Sequence, residues 1–365
     1  MAPTDIRIVQ LEQPLDYEGD TKWLQDGTHA VYTAYYQGVY GNTDPVRDAI
    51  DDVITFNDQN DNIRRWWCAV SGPDGDPASV VAVIKCDLNM QDQKLVDISL
   101  VVHPEWRRRG IGTMLLHFAE EHPDLVGRDV LINWEGAFNA AIDAGEQIQA
   151  PTGQGSAPAN TPGLQFALAN GYTFEQVERM SLCSLPVAPD TLERFIAGSQ
   201  PQTLGYRTMV WDDCVPAEYL DGYAVLMTKI YTDAPKGDLR FEEEVWDADR
   251  VRRDQEAAKA KGWRRLIAVA QHEATGELAA MTLLAWKPDK PTFGHQEETV
   301  VLAAHRGHRL GMLIKALNLQ ALAEANPRCE RLYTWNAEEN DFMLSINVAL
   351  GYRPYGGNCV VQKLR

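Results

Sequence analysis

Two short stretches of this chain combine clustered arginine with glycine in a way that could hold a phosphate. Arg107-Arg108-Arg109-Gly110-Ile111-Gly112 follows the apolar pair Val101-Val102 and precedes an apolar pattern at helical spacing. Arg306-Gly307-His308-Arg309-Leu310-Gly311 follows Val300-Val301 and does the same. A strand that feeds a helix through such a turn presents backbone N–H groups and the positive end of the helix dipole to an anion. Glycine lets the backbone come close, and arginine adds charge. The other chemistry-bearing residues are acids in apolar company. Asp97 lies in the run before the first turn, where burial would raise its pKa and suit it to accept a proton; the plainer alternative is a polar residue on an exposed strand face. Glu297 and Glu298 precede the second turn. Adjacent on a strand, they face opposite sides, so one of them can point into a pocket. Solvation at a strand start is their plainer reading. Glu242-Glu243-Glu244 with Asp247 reads chiefly as a solvated helix start.

The elements that must position these residues occur twice in the same order. The first pass reads as a strand at Ile6–Leu11, helices at Lys22–Tyr40 and Pro45–Phe56, and strands at Arg65–Val70, Ser79–Cys86 and Val96–Val102. After the basic turn come a helix at Gly112–Glu121, a strand at Asp129–Trp134, a helix at Pro162–Asn170 and a strand at Phe174–Leu185. The second pass runs from Tyr206–Trp211 through helices at Pro216–Tyr231 and Asp247–Lys261 and strands at Leu266–Ala270, Leu278–Trp286 and Glu298–Leu302. It closes with a helix at Leu310–Glu324, a strand at Arg331–Trp335, a helix at Phe342–Leu350 and a strand at Cys359–Lys363. Repetition of the order predicts a duplicated domain: residues 1–187, a Pro-containing linker at 188–204, and residues 205–365. The first half carries extra sequence at residues 135–160, rich in Ala, Gly, Gln and Pro, which reads as a tolerated insertion in preference to a lid.

Bulk properties narrow the class. A chain of 365 residues can bury two cores. Its net charge of −18 argues against a nucleic-acid surface and is compatible with a small cationic substrate. No apolar run approaches a membrane span, and Met1-Ala2-Pro3-Thr4-Asp5 lacks the features of a signal peptide, so a cytoplasmic location is expected. The six cysteines form no C-x-x-C pair, and neither a metal site nor a disulfide framework is expected.

Arg107-x-x-Gly110-x-Gly112 resembles the pyrophosphate-binding motif, Arg/Gln-x-x-Gly-x-Gly/Ala, of the GNAT superfamily of acetyl-CoA-dependent N-acyltransferases. The resemblance extends back through Val102, Leu100, Ile98 and Asp97 and forward to Asn170-Gly171-Tyr172. Arg306-x-x-Arg309-x-Gly311 is a second copy with arginine in place of the first glycine. It is followed by Asn336, Asn340, Met343, Ile346, Asn347 and Leu350-Gly351-Tyr352, the fuller of the two closing motifs. The resemblance implies an α/β chain of two tandem GNAT domains, similar to the duplication in mycothiol synthase. Each would be a twisted mixed sheet flanked by helices, with a splayed fourth and fifth strand pair.

It further implies acetyl-CoA or another acyl-CoA as co-substrate, with the pantetheine arm in the splay and direct transfer to a bound amine. The cofactor-binding residues it points to are Val102, Arg107, Arg108, Arg109, Gly110, Ile111 and Gly112 in the first half. In the second they are Val301, Arg306, Gly307, His308, Arg309, Leu310, Gly311, Asn336 and Asn340. Glu297, Glu298 and Asp97 are the candidate catalytic acids and bases. The family's tyrosine acid, four residues before the closing glycine, is replaced by Ala167 and Asn347, which leaves the thiolate's proton donor open. The asparagine-rich finish and the acidic strand favour the second half as the catalytic one. The expected acceptor is a small-molecule amine, with no nucleic acid or membrane partner and with room for a homodimer. A non-catalytic acyl-CoA sensor or scaffold, and an aminoacyl transferase using charged tRNA, are the alternatives.

Overall fold

The computed structural model describes residues 5–139, 145–153, 155–233 and 235–365. They form two compact units, one of Met1–Glu178, Lys236–Glu242 and Gly356–Arg365, the other of Arg179–Pro235 and Glu243–Tyr355.

The first unit contains β1 (Arg7–Gln10), α1 (Lys22–Tyr40), α2 (Ala49–Asn57), β2 (Asn62–Val70), β3 (Val80–Asn89) and β4 (Leu95–Val102). It continues with α3 (Ile111–Glu120), β5 (Val130–Asn139), a hairpin of β6 (Gln147–Gln149) and β7 (Ser156–Pro158), α4 (Pro162–Ala169) and the start of β8 (Thr173–Ser184). Most of the chain's last strand, β14 (Arg353–Leu364), also belongs here, and the sheet order is β1-β2-β3-β4-β5-β14-β8. β3, Val-Val-Ala-Val-Ile at its start, is buried on both faces because α1 covers one side and α3 the other. Val96, Ile98, Ile111, Leu115, Leu116, Leu131 and Leu164 share one core with it.

The second unit repeats the plan with α5 (Pro189–Ser199), β9 (Tyr206–Asp212), α6 (Leu220–Asp233), α7 (Ala248–Ala260), β10 (Arg264–His272), β11 (Leu278–Trp286) and β12 (Phe293–Val301). α8 (Leu310–Ala325), β13 (Arg331–Ala337) and α9 (Asp341–Ala349) follow, and the strand order is β9-β10-β11-β12-β13-β8. Every residue of the apolar β11 is buried.

Two sequence expectations need correction. Residues 188–204 are not a bare linker: α5 occupies most of them, and its Leu192 is buried in a core with Met312, Leu319 and Ile346. Nor do the units follow the boundaries 1–187 and 205–365, because the final strand of each half completes the other unit's sheet: β14 pairs with β5, and the C-terminal part of β8 neighbours β13. The extra sequence at 135–160 begins inside β5 and continues as the β6–β7 hairpin, whose Ala150 and Ala157 are buried in the first core. Its residues 140–144 and 154, like the N-terminal residues 1–4, lie outside the described residues.

Candidate active site

Both basic turns take the same backbone path. In the first, Arg108 and Gly110 have φ of 62° and 79°; in the second, Gly307 and Arg309 have 86° and 57°. Each turn therefore needs two left-handed residues, and each places a glycine at one and an arginine at the other. Outside glycine this conformation costs about 1–2 kcal/mol, so the replacement of the first glycine by Arg309 moves the strain without changing the path. The turns deliver the first N–H groups of α3 and α8, which no intrahelical carbonyl can reach. Ile111 and Leu310 root these turns in their cores.

The leading arginine of each motif is partly committed: Arg107 Nε donates to the Val102 carbonyl at 3.2 Å and Arg306 Nε to that of Val301 at 3.3 Å. Arg109 lies over the Trp106 ring. A Cβ on Gly112 would sit 3.3 Å from Phe166 and 3.4 Å from Val102, so that glycine lets α3 approach both α4 and β4.

In the first unit β4 and β5 pair in parallel from Leu95↔Val130 to Ile98↔Asn133 and then part. An open cleft occupies the gap, lined by Leu100 of β4, Asn133, Glu135 and Gly136 of β5, and Leu116 of α3, with Phe166 and Ala167 of α4 and Cys359 of β14 closing its walls. At the gap β5 is bulged: Gly136 faces Cys359 and Asn133 faces Val361, so Trp134 and Glu135 together oppose Val360. The Glu135 carboxylate accepts from Ser99 Oγ at 3.1 Å and Tyr36 Oη at 3.3 Å. Ser99 in turn shares a 2.7 Å hydrogen bond with Tyr32. Tyr32, Tyr36 and Tyr40, one helical turn apart on α1, form a stacked series with centroids 6.5 and 6.0 Å apart. On β8 of the same unit, burial pushes Glu178 up to about 7 against a hydrogen bond from Asn358.

The second unit also splays. β12 and β13 pair only over Phe293↔Arg331 to His295↔Tyr333, and the bulge here is on β12, where Glu297 and Glu298 oppose Leu283. Glu297 is exposed. Glu298 is pushed up to about 7, first by burial and next by Glu297, in the neighbourhood of Tyr223 of α6 and the Arg265–Asp254 ion pair. The offset that places Arg306 on Arg107 places Lys315 on Leu116. Lys315 Nζ donates to Asn347 Oδ1 at 2.9 Å, and Asn347 Nδ2 to Asn336 Oδ1 at 2.8 Å. Lys315 is 1% exposed, and burial pushes its amine down to about 7. A polar ladder thus stands where the first unit has the cleft walls Leu116 and Ala167.

Of the residues singled out in the sequence, Glu298 reaches a splay. Asp97 does not line the cleft: it pairs with Ile132 before the strands part and accepts from Trp134 Nε1 at 3.2 Å. Asn336 is held in the ladder, and Asn340 caps α9 by accepting from the Met343 N–H at 3.2 Å. His308 Nδ1 is within 3.0 Å of the Gln202 carbonyl. Sequence reasoning missed Glu135, Ser99 and the α1 tyrosines. The Tyr-x-x-Tyr-Tyr-x-x-x-Tyr spacing of α1 was a readable signal; the bulge that aims Glu135 was not.

Residues 27–127 match the model of the acetyltransferase (GNAT) family. A tandem GNAT protein from the clavulanic acid biosynthesis pathway superposes with a TM-score of 0.71 at 23% identity, over 98% of either chain. The chain has the tandem GNAT fold. A GCN5-related N-acetyltransferase from Sphaerobacter thermophilus shares this fold, with a TM-score of 0.62 at 12% identity over 100% of this chain and 97% of that one. A glucosamine N-acetyltransferase region of a fungal GH3 β-N-acetylglucosaminidase does so at 0.62 and 13%, covering 99% of this chain and 38% of that one. No curated protein matches the chain. The family match lies wholly within the first unit and includes its basic turn, α3 and one wall of the cleft. It associates this unit with acyl transfer, and acetyl-CoA is the acyl donor of that family. Among the described residues no helix is long and apolar enough to cross a membrane.

Proposed function

We propose that the first unit transfers an acyl group from acetyl-CoA, or another acyl-CoA, directly to the amine of a small molecule. The observation that carries this reading is the open cleft in the β4–β5 gap, with Glu135 among its lining residues and the Glu135 carboxylate held across the gap by Ser99 of β4. The residues fit such a donor: the turn from Arg107 to Gly112 opens α3, which forms one side of the cleft, and supplies backbone N–H groups and cationic charge for the pyrophosphate. When bound, the donor supplies an activated acyl thioester. The chain's own groups do the rest. Tyr36 and its stacked neighbours offer ring faces beside a carboxylate, a combination that attracts an alkylammonium ion. Glu135 removes a proton from that ammonium and leaves a neutral amine able to take the acyl group. Ala167 cannot return a proton to the departing thiol, and Tyr172 donates its hydroxyl to Glu120 at 3.1 Å, so solvent is the proton source in this reading.

In the second unit, Lys315 and Asn347 stand at the positions of the cleft walls. This favours a supporting role for that unit and moves the chemistry to the first half, away from Glu297 and Glu298. A panel of small amines with acetyl-CoA, read by free thiol release, tests the reading. Glu135→Gln should lower kcat by about 10²- to 10⁴-fold, the range of a general base. Acyl-CoA binding without amine-dependent thiol release would favour the sensor reading, and a Glu135→Gln variant as fast as the wild type would remove the assigned base.

A further inference from the structure

A carboxylate on a strand can reach a gap beside that strand only if the pleat points it there. In β5 a bulge resets the pleat at that point. Leu131 lies on the α3 side of the sheet in the first core, while Ile132 packs with Leu95, Leu239 and Val360 in a separate cluster. After the bulge the alternation is reversed, so that Phe138 is in the first core. Trp134 and Glu135 are the two residues at which the phase changes. A bulge leaves ladder groups without their regular partners, and buried backbone groups must be satisfied elsewhere.

Tyr35 of α1 meets that need from the helix layer. Its hydroxyl donates to the Glu135 carbonyl at 2.6 Å and accepts from the Ala137 N–H at 3.1 Å. One side-chain oxygen therefore bridges the carbonyl and the amide on either side of Gly136. The Glu135 N–H is held at 2.7 Å by the Asn133 side chain. Tyr35 is buried, and desolvation followed by the nearby Glu135 charge pushes its phenol well above its ordinary range, which keeps it a neutral donor. Gly136 fits the same device: a Cβ there would come within 2.8 Å of Cys359 Cβ and 2.9 Å of its carbonyl.

We propose that Tyr35 is a positioning residue for the first unit's base: its hydroxyl clamps the Trp134–Glu135 bulge and so aims the Glu135 carboxylate at the β4–β5 gap. Tyr36, one residue on, contacts the carboxylate itself; Tyr35 acts only through the backbone that carries it. This inference rests on the assignment of Glu135 as the base, and the test separates the two.

The test compares wild type, Tyr35→Phe, Glu135→Gln and the double variant for amine-dependent thiol release, with amide exchange at Ala137 followed in parallel. Tyr35→Phe keeps the ring and removes only the clamp. It should lower kcat at least tenfold, leave KM for acetyl-CoA within twofold, and speed exchange of the Ala137 amide. On the Glu135→Gln background the same change should cost less than twofold, because a group that acts through Glu135 has nothing left to position. Equal losses in the two backgrounds, or a raised KM with kcat unchanged, would overturn the positioning role while leaving Glu135 as the base. A Glu135→Gln variant with wild-type kcat would overturn the base assignment and the clamp with it.

Discussion

At the residue scale each splay holds a bulged glutamate, but the two arrive there differently. Glu135 is delivered by β5 and wired to hydroxyls; Glu298 is delivered by β12 into an apolar, acid-bearing surround. The second arrangement has a consequence for stability. Burial and the neighbouring Glu297 raise Glu298 to about 7, so the folded state holds its proton more tightly than the unfolded chain does. Such a carboxyl contributes stability that is full below its unfolded pKa of about 4.3 and is lost as pH rises through about 7. Glu298→Gln, which stays neutral, should melt close to wild type near pH 4 and several degrees above it at pH 8. Thermal unfolding at the two pH values checks this; a gap that does not grow with pH rules it out. Glu298 was legible in the sequence as an acid on a strand, since alternation put one of two adjacent glutamates inward. Glu135 was not, because it sits at the boundary of an extra segment rich in Ala, Gly, Gln and Pro.

At the element scale the fold depends on close approaches that only small residues permit. Gly136 lies against Cys359 on one side, and a Cβ on Gly163 of α4 would come within 3.2 Å of the Gly136 Cα. Strand β5, strand β14 and helix α4 therefore meet at two glycines beside the cleft. Gly136→Ala would press against the backbone of Cys359, which cannot move without shifting the ladder. The expected cost is about 1–3 kcal/mol, the usual range for overpacking, read as a lower urea midpoint for the first unit; an unchanged midpoint would mean the strands yield. Most elements were legible: α1 and β11 fall on their expected bounds, since a long amphipathic helix and a fully apolar strand are strong local patterns. α5 was hidden because its Pro189 start and polar composition look like a linker, and burial of Leu192 is what makes it a packed helix.

For the whole molecule, duplication has produced unequal units. The first has an open cleft between Leu116 and Ala167; the second has Lys315, Asn347 and Asn336 bonded in series at the matching place. A buried polar ladder whose members satisfy one another is costly to displace, because an incoming apolar group would leave amide and amine groups unpaired. Titration with acetyl-CoA should therefore show one tight equivalent per chain, abolished by Gly112→Trp and retained in Gly311→Trp. Two equal equivalents, or loss of binding only in the second variant, would assign the donor site differently.

The sequence by itself determined the two basic turns and their place between strand and helix. These follow from neighbouring residues: glycine and arginine at left-handed positions, and a helix start with unsatisfied N–H groups. Tertiary structure decided which carboxylate faces which gap and which chain segment completes each sheet. A bulge exists only relative to the register of a partner strand, and the partner of β5 is β14, at the far end of the chain. No local pattern at Trp134-Glu135-Gly136 could announce that register, or that Tyr35 would come from another layer to hold it.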